Sequence, residues 1–294
     1  MAQTDGQIGL SKERDATFTR ALFGDIAADY ERAIVPAFRQ FAAGVIHTAA
    51  LTPPAEVLDI GTGTGILARL LAPLGYAVLG IDLAPQMIDI ARAQADAEGL
   101  RNARFEVADA NTLPYPEARF DAVVSSFGLN ATTPSDVLPG VWRVLRPGGV
   151  FAFHEWHIQH TYDSRISDIL AHYMLPDEDV SAACFALRER LVAPRPWDNV
   201  FQTAEDYAEE LGAAGFVDVQ IYEDAAVVCR LSVMDFLAYK LAWKPRRAEL
   251  AEMPAFQRAD CQDALHRALA DEADSDGMLH YAPTLFRVRA RKQG

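Results

Sequence analysis

Val57-Leu-Asp-Ile-Gly-Thr-Gly-Thr-Gly65 is the stretch on which the fold turns. Ala55 to Ile60 is a short apolar run, glycines at alternate positions end it, and Ile66, Leu67, Leu70 and Leu71 then recur at helical spacing up to Gly75. Strand, tight turn and helix in that order place a helix N-terminus behind a loop bare enough for a ligand to lie against the backbone. A dinucleotide fingerprint G-x-G-x-x-G counted from Gly61 needs glycine where Ile66 stands, and Asp59 precedes the first glycine by two residues. That spacing favours another nucleoside ligand. Taken alone, the loop also fits a tight turn that binds nothing.

Working outward, Ala77-Val-Leu-Gly-Ile-Asp82 predicts the next strand, Pro85 a first helical position, and Met87 to Ala97 a helix ended by Gly99. Arg104 to Asp109, Phe120 to Ser126 and Gly149 to His154 predict three more strands, with a helix over 137–145 before the last. Such alternation predicts a parallel sheet covered on both faces. Phe18, Leu22, Ile26, Tyr30, Ile34 and Phe38 share helical spacing ahead of it. Behind it, 157–202 reads as a helical insertion broken by Pro176, Pro194 and Pro196. Thr203 to Asp206 has the capping-box pattern, Phe216 to Leu231 reads as one long strand, and Thr284 to Arg291 as the final one. The expected organisation is 1–50 helical, 51–156 the ligand-binding core, 157–202 a cap, and 203–294 the rest of the sheet with a second helical insertion at 232–282.

Asp82, which lies 21 residues after Gly61 at the end of the second strand, is placed to accept both hydroxyls of a ribose. Asp109 ends the third strand in Ala108-Asp-Ala110-Asn111, where a carboxylate or its neighbouring amide meets an adenine edge. Each aspartate alone is more often a solvated strand end. Three of them on successive strand ends, counting Asp59, point to one ligand crevice.

These segments, with Gly80-Ile-Asp-Leu-Ala-Pro-Gln-Met87, Phe120-Asp-Ala-Val-Val-Ser-Ser-Phe-Gly128 and Val144-Leu-Arg-Pro-Gly-Gly149, resemble the class I S-adenosylmethionine-dependent methyltransferases, in particular the small-molecule branch that includes the ubiquinone and menaquinone biosynthesis enzymes. The resemblance covers about Ala55 to Trp156. It implies a Rossmann-like, mostly parallel seven-stranded sheet with a reversed last strand, α/β in class, and S-adenosylmethionine as cofactor. It further implies that Asp59 and the glycines hold the methionine end, Asp82 the ribose, and that Leu83 and Met87 flank the adenine. Phe23 to Tyr30 looks like the family's N-terminal lid, with Tyr30 near the methionine carboxylate. The cofactor set expected is therefore Tyr30, Asp59, Gly61, Thr62, Gly63, Gly65, Asp82, Leu83, Met87, Asp109, Ala110 and Ser126.

The expected reaction is in-line transfer of the sulfonium methyl to a small-molecule acceptor, chiefly through positioning and desolvation. A nicotinamide-dependent oxidoreductase and a catalytically silent binding module remain the alternatives. His154 and His157, past the fifth strand, are the candidate bases. Trp156 and Trp197 are the candidate acceptor contacts, with Tyr162, Tyr173 and Phe185 either beside them or forming the cap's own core. His154, His157 and His160 at spacing three straddle a strand end, so no metal is expected. Lys244, Arg246 and Arg247 either receive an anionic substrate or form a solvated face, and Arg287, Arg289 and Arg291 read as a solvent-facing row.

A net charge of −14, from 27 basic and 41 acidic residues in 294, disfavours nucleic acid as a partner. Hydrophobic residues at 50% and charged residues at 23% exclude a disordered or disulfide-framed chain. Cys184, Cys229 and Cys261 form no C-x-x-C pair, and Met1 to Arg14 is polar, so the expectation is a reducing cytoplasm, no signal peptide and no membrane span. The sequence leaves the oligomeric state and the accepting atom open.

Overall fold

A computed structural model describes residues 15–192 and 195–294; the N-terminal segment to Arg14 and the breaker Pro194 lie outside the described residues. Helix α1 (residues 15–24) leads to α2 (Ala27–Asp29), a π-helical turn (Tyr30–Ile34) and α3 (Val35–Ala49), which ends at Ala50 in the left-handed conformation. The alternation then follows as β1 (Glu56–Ile60), α4 (Ile66–Leu71), β2 (Ala77–Asp82), α5 (Pro85–Ala97), β3 (Ala103–Val107), β4 (Phe120–Ser126), α6 (Pro134–Val144) and β5 (Leu145–Ile158). After it come α7 (Thr161–Tyr173), α8 (Ala182–Val192), α9 (Pro196–Val200), α10 (Ala204–Ala213), β6 (Phe216–Asp224), β7 (Cys229–Ser232), α11 (Val233–Leu241), α12 (Lys244–Glu252), α13 (Ala255–Ala270), β8 (Met278–Tyr281) and β9 (Thr284–Lys292).

Seven strands form one sheet in the order β3-β2-β1-β4-β5-β9-β6, and β9 runs antiparallel to both its neighbours. The Rossmann-like sheet with a reversed last strand is thus present. Its β1 and β4 sit at the centre, so the chain's crossovers leave their C-terminal ends flanking one crevice. One face carries α3, α4 and α5 over Val57, Val124 and Ala152; the other carries α6, α9 and α10 over Phe151, Phe153 and Val288.

Three readings change. The long strand expected from Phe216 to Leu231 is two strands, because Asp224 turns back to accept from the Ala226 N–H and β7 leaves to pair with β8. The first insertion is not a single cap: α7 buries Tyr162, Ile166 and Leu170 in the first core, whereas α9 buries Trp197 in the second. The arginines of β9 are not a solvent row. Arg287 forks onto Asp224 at 2.5 and 2.7 Å, Arg289 donates to the Ala49 carbonyl and Arg291 to that of Gly148. Alternation along β9 does place them on one face, but that face meets the C-terminal end of α3, where cations offset the helix dipole.

Candidate functional site: a glycine turn, two carboxylates and an aromatic wall

Gly61 has φ +66°, and a Cβ there would come within 2.5 Å of the Gly128 Cα. Two backbones therefore touch where β1 and β4 end, which only glycine permits. Gly63, also left-handed, has the Tyr30 ring above it, 3.6 Å from where a Cβ would stand. Gly65 caps α4. The turn presents bare backbone under an aromatic lid.

Asp82 ties this turn to the next one. Its Oδ2 accepts from the Gly63 N–H at 3.0 Å and its Oδ1 from the Ala84 N–H at 2.9 Å. Burial pushes its carboxyl up, and these backbone donors pull it part of the way back. Asp59, buried beneath the turn, accepts from Thr62 Oγ1 at 2.6 Å; burial foremost, with Asp82 nearby, raises it to about 7 against that hydrogen bond. Burial, with Asp82, Glu31 and Asp59 nearby, also raises the Tyr30 phenol. Two partly or fully desolvated carboxylates at the ends of adjoining strands β1 and β2 favour a ligand that brings positive charge.

Tyr30, Phe38, Ala42, Asp59, Gly61, Thr62, Ile66, Leu67 and Ser126 line a pocket here. Of the residues expected from sequence, Tyr30, Asp59, Gly61, Thr62 and Ser126 meet in it. Ser126 Oγ is buried with no hydrogen-bond partner, so a polar atom is left for a ligand. Leu83 flanks the turn with its carbonyl accepting from Arg20 of α1, and Met87 packs into the first core. Asp109 accepts from the Asn111 N–H and Nδ2, Ala110 opens the short turn that follows, and Asn111 in turn accepts from the Thr133 N–H. That side chain is engaged in shaping the β3 turn.

Beyond the cavity the rings continue. Phe38 contacts Tyr30, Phe41, Phe127, Trp156, Tyr239 and Trp243, and Trp156 stacks on Phe127 at 4.1 Å and 11°. Trp156 therefore belongs to the wall that adjoins the cavity. Trp197 does not: it packs on Phe153, Phe201 and Tyr207 across the sheet. Strand alternation alone could not separate them, because Trp197 lies in an insertion whose path the sequence does not specify.

The histidines do not converge. His154 is fully buried beneath Gly44 of α3, with Nε2 2.9 Å from Thr48 Oγ1; burial first and Arg287 second push it down to about 3. An imidazole held that far below its usual value is a weak base. His157 pairs with Glu223 at 3.2 Å against Phe286, on the opposite face, and His160 caps α7 by accepting from the Tyr162 N–H. Sequence reasoning placed the acid–base chemistry on these side chains, and missed Phe38, Phe127 and the polar group behind them, whose members come from separate insertions. Lys244 and Arg247 pair with Asp25 and Asp29, clasping α12 to the N-terminal helices, while Arg246 donates to the Lys240 carbonyl at 3.1 Å.

Residues 57–149 match a family described as a methyltransferase domain. The chain is 48% identical over 100 residues to the demethylmenaquinone methyltransferase of Deinococcus radiodurans, covering 33% of this chain and 41% of that protein. It is 30% identical over 175 residues to the ubiquinone/menaquinone biosynthesis C-methyltransferase UbiE of Shewanella pealeana, covering 56% of this chain and 69% of that one. The chain belongs to the class I methyltransferase family. Against the first relative, the class I chain spans about two fifths of the curated length. Its fold is shared by the YcgJ protein of Bacillus subtilis, with a TM-score of 0.54 at 17% identity over 86% of this chain and 98% of that one. Among the described residues no helix of this methyltransferase-family chain is long and apolar enough to cross a membrane.

Proposed function

We propose that this chain transfers a methyl group from S-adenosylmethionine to a small, planar, phenol-type acceptor. The observation that carries the reading is the pair of carboxylates around the glycine turn, Asp59 buried and Asp82 half-buried: S-adenosylmethionine brings a sulfonium and an ammonium, the positive charge this pair lacks. In this reading Asp82 and the Gly61–Gly65 turn hold the ribose and methionine end, with Thr62, Ser126 and Tyr30 around it. Leu83, Asp109 and Ala110 border the adenine and Met87 supports that edge from the core. The helices of residues 15–50 act as the lid, 51–156 carry the cofactor, and α7, α11 and α12 on the same face shape the acceptor chamber. Trp156 and its ring neighbours favour a flat apolar acceptor, in keeping with the quinone names of the two relatives. Three separate free cysteines, Cys184, Cys229 and Cys261, fit a reducing cytoplasm.

When bound, the cofactor supplies an already activated methyl group. The protein's part is to hold acceptor and methyl in line and exclude water. Orientation supplies roughly 7–11 kcal/mol, against the roughly 3–5 kcal/mol that correspond to a general base. A test is incubation with methyl-labelled S-adenosylmethionine and a dihydroxynaphthalene. Label recovered in the naphthalene product supports the reading, and label that stays in the cofactor with every acceptor in a phenol and quinol panel overturns it.

A further inference from the structure

Behind the aromatic wall lies a polar cluster that the reading above does not use. Lys240 Nζ, in α11, sits 2.5 Å from Asp163 Oδ1 of α7 and 2.9 Å from the Tyr281 hydroxyl of β8, which itself donates to Asp163 Oδ2 at 2.8 Å. The Tyr239 hydroxyl is 3.4 Å from the same ammonium. All four side chains are more than nine-tenths buried. A buried ion pair of this kind contributes little net stability compared with well-packed apolar side chains, so packing alone gives no reason for it.

Its position suggests one. The Tyr239 ring packs on Phe38, which lines the cavity, and the Tyr281 ring on Phe41. Phe38 stands between the pocket and Tyr239, so an acceptor that reaches past this ring meets Tyr239 as the first polar group behind it. On the far side His160, half-buried, packs against the Tyr281 ring and leads towards solvent.

Resting on the proposed methyl transfer, we infer that Tyr239 meets the acceptor's hydroxyl and that Lys240, anchored by Asp163 and Tyr281, is the base that holds the released proton. As the S–CH₃ bond breaks and the methyl–acceptor bond forms, the acceptor proton passes to the Tyr239 oxygen and the Tyr239 proton to the neutral Lys240 amine. The products are the methylated acceptor, neutral S-adenosylhomocysteine and an ammonium facing Asp163. Burial lowers Lys240 to about 8 despite Asp163, with Arg246 of α12 lowering it and Cys229 of β7 raising it. His160 feels both Asp163 and Lys240. The neutral amine is therefore the form present above about pH 8.

The test compares the parent with Tyr239→Phe and Lys240→Met at saturating S-adenosylmethionine, with a dihydroxynaphthalene as probe. In the parent, kcat should rise through about pH 8. Tyr239→Phe keeps the ring and should lose roughly 10²–10⁴ in kcat, with cofactor affinity by calorimetry unchanged. Lys240→Met should lose the rising limb; should that variant fail to fold, Tyr239→Phe decides. Parent-like kcat and pH profile in folded Tyr239→Phe overturn the inference alone. A parent that binds the cofactor but labels no member of the phenol and quinol panel overturns the phenolic acceptor together with the inference, and leaves the cofactor assignment standing.

Discussion

At the glycine turn, Asp82 meets the backbone amides of Gly63 and Ala84; at the far wall, Lys240 meets side chains from α7, α11 and β8. The first arrangement is made by chain conformation at two adjoining strand ends, so it depends on which positions are glycine. The second is assembled by packing elements more than 40 residues apart. A backbone-built site should therefore fail abruptly when one Cβ is added. A side-chain-built site should lose its chemistry before it loses its shape.

Gly61→Ala tests the first half with the largest effect. The new methyl meets the Gly128 backbone at 2.5 Å in a left-handed conformation, and strain of that kind costs on the order of 1–3 kcal/mol before any clash is counted. Thermal unfolding should occur several degrees lower, with cofactor binding lost. An unchanged midpoint and affinity would show that the two strand ends can separate freely.

Asp82→Ala sharpens the comparison, because it removes the charged acceptor but leaves the glycines. Hydrogen bonds to a charged group contribute roughly 1.5–3 kcal/mol, so calorimetry should show S-adenosylmethionine binding at least about tenfold more weakly to a protein of native circular dichroism. Equal affinity would take Asp82 out of the site.

His154→Ala should have the smallest effect on turnover. The ring is buried against Thr48 and Gly44 and poorly basic, so some stability is lost, but kcat at saturating substrates should stay within about threefold of the parent, far from the roughly 10²-fold or more of a missing base. A loss of that larger size would return the proton transfer to β5 and away from Lys240.

The same contrast explains what was legible in the sequence. The strand and glycine punctuation from Val57 to Gly149 has period and turn chemistry written locally, so the parallel part of the sheet and the turn with Asp59 and Asp82 follow from it, whereas the reversal of β9 comes only through the family resemblance. Phe216 to Leu231 reads as one strand because its apolar pattern continues past the Asp224 turn; only pairing with β8 shows that β7 belongs elsewhere. Arg287 and Arg289 looked solvated because the α3 terminus that receives them lies more than 230 residues earlier. Lys240, Asp163 and Tyr281 carry no spacing signal at all. Their adjacency is a property of how two insertions fold onto one face, and single-residue reasoning gave the role to the nearer histidines.

The central claim is that the glycine turn and its two carboxylates, Asp59 and Asp82, hold a cationic nucleoside. Burial holds Asp59 at about 7 instead of 3.8, so the ligand-free fold is stabilised by the protonated acid below the lower value and loses that contribution as pH rises through the upper one. A sulfonium ligand favours the carboxylate, so its affinity should increase in the same window. The direct measurement is calorimetric titration of the protein with S-adenosylmethionine, S-adenosylhomocysteine and NAD at pH 6 and pH 8. The account predicts micromolar-scale binding of the first two, tighter at pH 8 for the sulfonium, and none of NAD. Binding of NAD with neither adenosyl ligand taken up would contradict it.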